Sequence, residues 1–170
     1  MIADFDMKPL CGQLERLDQE WASLHAAMEN CPDPDQFGYY DRAEYLAGFA
    51  FVACQRYITA TYPYAHMKKK DALSLPPTHP TGATFVALID AAANYWKHFP
   101  EWKTRPEAKH VSTVRTIESC GVAVEGYVCC NILFLLVGVK PSPFSRLLKN
   151  LVDWRSSIVR IRQERNSPSM

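Results

Sequence analysis

Apolar residues fall along this chain in steps of three and four over most of its length. Leu10, Leu14, Leu17, Trp21, Leu24 and Met28 line one edge of a helix that begins near Pro9. Pro32 and Pro34 each constrain the residue before them, so a loop follows and ends near Gly38. Asp41, with Glu44 three residues later, has the logic of a capping box. It opens a second helix to about Thr61, with Tyr45, Phe49, Val52 and Ile58 among its packed residues. Low charge and length make this a central helix, buried on more than one side. From Tyr62 to Thr81 the pattern dissolves into Pro63, Lys68 to Lys70, Pro76, Pro77 and Pro80, which predicts one long loop.

The stretch from Thr84 to Trp102 sorts most clearly into two faces. Phe85, Leu88, Ile89, Ala92, Tyr95, Trp96 and Phe99 fall on one side and predict core; Asp90, Asn94, Lys97 and His98 fall on the other and form a ridge left open to a ligand. Pro100 predicts a stop at Phe99. Helical structure resumes between Pro106 and Ser119, with Gly121 placed as a left-handed stop and Val122 to Gly126 as a short connector. Tyr127 to Leu136 is apolar on every side but Asn131, which predicts a buried helix whose asparagine bonds in the core or at a helix end. Ser142 and Pro143 read as a cap and first-turn pair. Phe144, Leu147, Leu148, Leu151, Trp154, Ile158 and Ile161 then form the apolar side of a last, arginine-backed helix.

These elements predict an all-α fold: a single-domain antiparallel bundle of five or six helices over residues 1–165, with one long Pro/Lys loop and a frayed tail at 166–170. The 170 residues, 48% hydrophobic and 22% charged, suffice for a real core. The apolar run Tyr127 to Val139 is shorter than the roughly 20 residues a membrane span needs. Six cysteines without a Cys-x-x-Cys pair, and the absence of a secretory leader pattern, point to free thiols in a reducing cytoplasm.

Net charge is only +1, yet acids crowd the first helix and arginines the last. Such asymmetry can steer a nucleic acid, pair the two ends of one chain or of two chains, or simply solvate two faces. Lys68 to Lys70 can meet phosphate, with Tyr62, Tyr64 and His66 available for stacking; equally, three lysines solvate a loop and the rings pin it.

Asp90, Asn94 and His98 recur every fourth residue, so they climb one edge of a helix with Lys97 beside them. An imidazole between an amide and an ammonium can move a proton and bind an anion, which suits a phosphodiester. Downstream, four residues separate Arg105 from His110. This arginine, four residues and histidine in a compact helical chain resembles the motif of HEPN-domain proteins. The resemblance covers about Asp90 to His110. It implies a metal-independent ribonuclease or RNA-binding protein of the toxin–antitoxin or antiphage kind, often a homodimer. Arg105 would then hold the scissile phosphate, and His110 would assist attack by the ribose 2′-hydroxyl. The chain departs from the family where Pro106 follows Arg105, since that position is usually polar; proline sets Arg105 ahead of a helix.

The expected site is thus His98, Arg105 and His110 as catalytic groups with Asp90, Asn94, Lys97 and Trp102 around the substrate, without metal or cofactor. Other accounts stand beside it. His98 can serve as a helix-end cap, and Trp96 and Trp102 as packing. The chain can be a non-enzymatic protein partner that masks a basic surface with Glu15, Asp18 and Glu20, or a small-ligand pocket lined by tyrosines and tryptophans. No phosphate-binding glycine loop, nucleophile elbow, zinc-protease helix or calcium loop is present.

Overall fold

A computed structural model describes residues 4–102, 108–138 and 143–166, and side chains at 108, 109 and 166 are outside that description. The fold is all-α. Seven helices follow one another among the described residues: α1 (Met7–Glu29), α2 (Tyr39–Thr61), α3 (Lys69–Leu73), α4 (Phe85–Trp102), α5 (Ala108–Glu118), α6 (Val128–Val137) and α7 (Leu147–Asn166). A 3-10 turn, Tyr62–Ala65, links α2 to α3. The only β pairing among these residues is an isolated bridge between Thr78 and Thr84.

Helix α2 is central, packed against α1, α4, α6 and α7. Its buried Ala43, Ala47, Gly48 and Ala50 let neighbouring backbones come close, while Phe51, Tyr57 and Ile58 fill the core. The stripe read from α1 is in place, with Leu10, Leu14, Trp21 and Leu24 buried. So is that of α7, where Leu147, Leu151, Trp154 and Ile158 are buried.

Several local expectations are corrected. The stretch from Tyr62 to Thr81 is not one loop, since the 3-10 turn and α3 occupy much of it. α3 is short and too poor in apolar spacing to announce itself; Trp154 fixes it from α7 by donating its Nε1 proton to Ala72 O at 2.8 Å. α4 does not stop at Phe99, because Pro100 sits within its last turn. Tyr95 stacks on Phe99 at 4.6 Å and meets Trp102 edge-on at 5.7 Å, and these ring contacts carry the helix past one missing N–H. Tyr45 and Phe49 are 57% and 52% exposed, so they do not belong to the core of α2. Asn131 is exposed on α6 and not held inside.

The helix caps also differ from expectation. Glu44 makes no capping box with Asp41; its carboxylate leaves α2 and accepts the backbone N–H groups of Cys129 and Cys130 at 2.7 and 2.8 Å, at the start of α6. Asp18 does the same for the turn ahead of α7, accepting from Phe144 at 2.9 Å and Ser145 at 3.1 Å. α7 therefore starts at Leu147 after a turn, and Ser142 lies outside the described residues. Both acids are buried and place negative charge where unpaired amides converge. Gly121 is left-handed, φ 80°, just after α5, as its position predicts. α7 runs through Asn166, one residue into the expected tail, whose other residues lie outside the described ones.

Candidate functional site

Thr84 opens α4: its hydroxyl accepts the Ala87 N–H at 3.2 Å and donates to Leu73 O, tying the start of the helix to α3. One turn further, Asp90 sits where α4, α2 and α3 meet and is only 7% exposed. Its Oδ1 accepts Gln55 Nε2 of α2 at 2.7 Å and lies 2.7 Å from Lys69 Nζ of α3. Its Oδ2 accepts Asn94 Nδ2 at 3.2 Å. Gln55 Nε2 also reaches Asn94 Oδ1 at 2.9 Å, and Gln55 Oε1 accepts from Lys97 Nζ at 2.6 Å. One carboxylate and two ammonium groups are thus joined through two amides, leaving one positive charge over. Partial burial lowers the pKa of Lys97; Asp90 opposes that shift and Lys69 adds to it.

The ridge expected along α4 is divided by this packing. Asp90 turns inward, and Asn94 is half-buried, while Lys97 and His98 are exposed. Helical spacing alone sets Asp90 on the face open to a ligand. The carboxylate is held inside instead because Gln55, Asn94 and Lys69 satisfy it.

A cleft of about 850 Å³ opens between α4 and α5, with α3 at one side. Asp90, Asn94, His98, Trp102 and His110 line it together, and Lys69 joins them. His98 stands one turn before the end of α4, with Nδ1 3.5 Å from Glu101 Oε2. Trp102 stacks on His110 across the two helices, with ring centres 4.6 Å apart and planes 25° from parallel. The Nε1–H of Trp102 is buried with no hydrogen-bond acceptor among the described residues. Thr113 and Thr116 add hydroxyls to the α5 wall.

Five of the seven residues singled out from sequence therefore share one cleft. Lys97 acts from behind it through Gln55, and Arg105 lies outside the described residues. Sequence reasoning missed Gln55 and the particular role of Lys69. Gln55 carried a faint signal, as an amide in the stretch of α2 that has no charged residue between Glu44 and Arg56. Nothing marks Lys69 out from its two neighbours until α3 is seen to face Asp90. Among the described residues, no three His, Cys, Asp or Glu side chains cluster closely enough to hold a metal, and no helix is long and apolar enough to cross a membrane. No protein-family model, curated protein or solved structure matches this chain.

Proposed function

We propose that this chain is a HEPN-like RNA-binding protein of metal-independent ribonuclease type, with the α4–α5 cleft as its site. The observation that carries this reading is that His98 and His110, on successive helices, line one cleft that also holds the Lys69 ammonium. Two imidazoles suffice for cleavage by transesterification. One takes the proton of a ribose 2′-hydroxyl as its oxygen attacks the adjacent phosphorus, and the other gives a proton to the departing 5′-oxygen. The products are a 2′,3′-cyclic phosphate and a 5′-hydroxyl. The surplus positive charge of the Lys69, Asp90 and Lys97 network favours the phosphate and the dianionic transition state. The part given to Arg105 rests on the family resemblance alone.

The masking-partner alternative is weakened at one residue. Glu15 and Glu20 are exposed on α1, but Asp18 is spent inside on the turn before α7. The direct test is incubation of purified protein with labelled single-stranded RNA in excess chelator. Fragments ending in a cyclic phosphate are expected, with the rate falling by about 100-fold or more in His98→Ala or His110→Ala. Intact RNA beside a folded protein ends the reading.

A further inference from the structure

The lysine run and the arginine-rich end of α7 are distant in sequence, and the fold lays them side by side. α7 is fastened to residues 65–72 at two points. Trp154 Nε1 donates to Ala72 O at 2.8 Å, and Arg165 Nη1 donates to Ala65 O at 3.1 Å. From Trp154 to Arg165 the helix rises about 16 Å at 1.5 Å per residue. α7 therefore runs antiparallel to this segment, with Lys68, Lys69 and Lys70 between the two anchors. His66, in the left-handed conformation at φ 51°, turns the chain out of the 3-10 helix and toward these lysines.

Arg162 lies one turn before Arg165 on the same edge of α7. Against Lys68, Lys70, Arg162 and Arg165 stand only Asp71 and Glu164 nearby in the chain, and none of the four cations has an ion pair among the described residues. On the far side of Tyr64 the patch is bounded by Asp4 and Asp6, and Arg155 is held on Asp4 at 2.9 Å. The cleft and the patch share Lys69, which lines the first and lies within the second.

We infer that this face is a track for the phosphate backbone of single-stranded RNA, feeding a strand past Lys69 into the α4–α5 cleft. The inference rests on reading that cleft as an RNA site, and it adds that the substrate is a strand several nucleotides longer than the cleft holds. Four cations without carboxylate partners match a row of phosphates, and their continuity with the cleft favours a strand over a bilayer surface.

The test uses the full chain and two substrates: a dinucleotide, which occupies the cleft alone, and a labelled single-stranded RNA of twenty nucleotides. Lys68→Glu, Lys70→Glu and Arg162→Glu are combined, and Lys69 is left intact because it belongs to the cleft. Affinity for the long RNA should fall by roughly tenfold or more at low salt. The slope of log affinity against log salt should shrink by about 0.7 for each phosphate that is no longer neutralised. Cleavage of the dinucleotide should not change. Unchanged affinity and slope in a folded variant overturn the track, even where the dinucleotide is cleaved by the parent protein. Charge-dependent binding of long RNA without cleavage of either substrate supports the track and defeats the ribonuclease reading. Binding to vesicles of phosphatidylserine and phosphatidylcholine, with none to RNA, overturns it in favour of a membrane surface.

Discussion

Glu44 Oε2 accepts the backbone N–H of Cys130 at 2.8 Å, across 86 residues of chain. With the companion bond to Cys129, this carboxylate supplies from α2 the cap that α6 lacks locally, since Tyr127 offers no capping side chain. Hydrogen bonds to a buried charge contribute about 1.5 to 3 kcal/mol each, and lost caps cost about 1. Glu44→Ala should therefore lower unfolding stability in urea by about 3 kcal/mol. Asp41→Ala, at the site where a local capping box was expected, should change it by less than about 0.5 kcal/mol.

Gly48 is the seat of Trp96. A Cβ placed on Gly48 would fall 2.2 to 2.6 Å from three atoms of the indole, well inside contact distance. Alanine gains about 1 kcal/mol in helix propensity over glycine, but overpacking costs about 1 to 3. Gly48→Ala should thus destabilise the parent by up to about 2 kcal/mol. In a Trp96→Ala background the same change should turn neutral or stabilising. A double-mutant cycle by urea denaturation reads the difference.

The amphipathic stripes of α1 and α7 were legible because each helix packs one face against the rest, so burial follows spacing; α4 packs on several sides, and its Asp90 is buried with its apolar residues. Of the candidate cleft, the shared edge of Asp90, Asn94 and His98 was legible by helical geometry alone, while the burial of Asp90 was not. Long-range partners were not. Whether Glu44 turns back to its own helix or crosses to α6 depends on where α6 lies, and no local pattern records that. Tyr45 and Phe49 misled because ring-bearing residues usually pack inward, whereas here they lie outside in a three-ring cluster with Trp96, 6.2 Å from each other and 4.7 and 6.2 Å from its ring. Pro100 misled because the ring contacts of Tyr95, Phe99 and Trp102 outweigh one lost hydrogen bond.

Four of the six free cysteines are buried, while Cys11 and Cys31 are partly exposed. Burial pushes Cys54 up to about 12, and burial with the nearby Glu44 carboxylate pushes Cys129 and Cys130 up as well. A thiol reagent at pH 8 should therefore label Cys11 and Cys31 well before the rest, which react on unfolding. The raised pKa values also fix the sign of the alkaline response. These thiols are protonated in both states below about pH 9; above it the unfolded chain releases protons and the folded one does not. Their stabilisation is complete below pH 9 and is lost toward pH 12, at about 1.4 kcal/mol per pH unit for each fully buried thiol. Cys54→Ala should flatten the decline in urea midpoints measured from pH 8 to 11.

Trp102 carries a buried N–H that has no acceptor among the described residues, an arrangement that costs about 1 to 3 kcal/mol. Trp102→Phe removes that donor and keeps an aromatic face for His110, so its net cost should be about 1 kcal/mol or less despite the smaller ring. Trp102→Ala removes both and should cost about 3 kcal/mol. Thermal or urea unfolding of the two variants checks the contrast; equal losses would mean that the indole N–H is satisfied in solution.

Because α7 is clasped at Asp18 near its beginning and holds the carbonyls of Ala65 and Ala72, the main chain that carries the neighbouring lysines is tied to the interior. In the proposed track, a main chain fastened in this way gives up little conformational freedom when a strand meets it. Adaptability is left to the long, exposed side chains of Lys68 and Lys70, which can follow the spacing of successive phosphates.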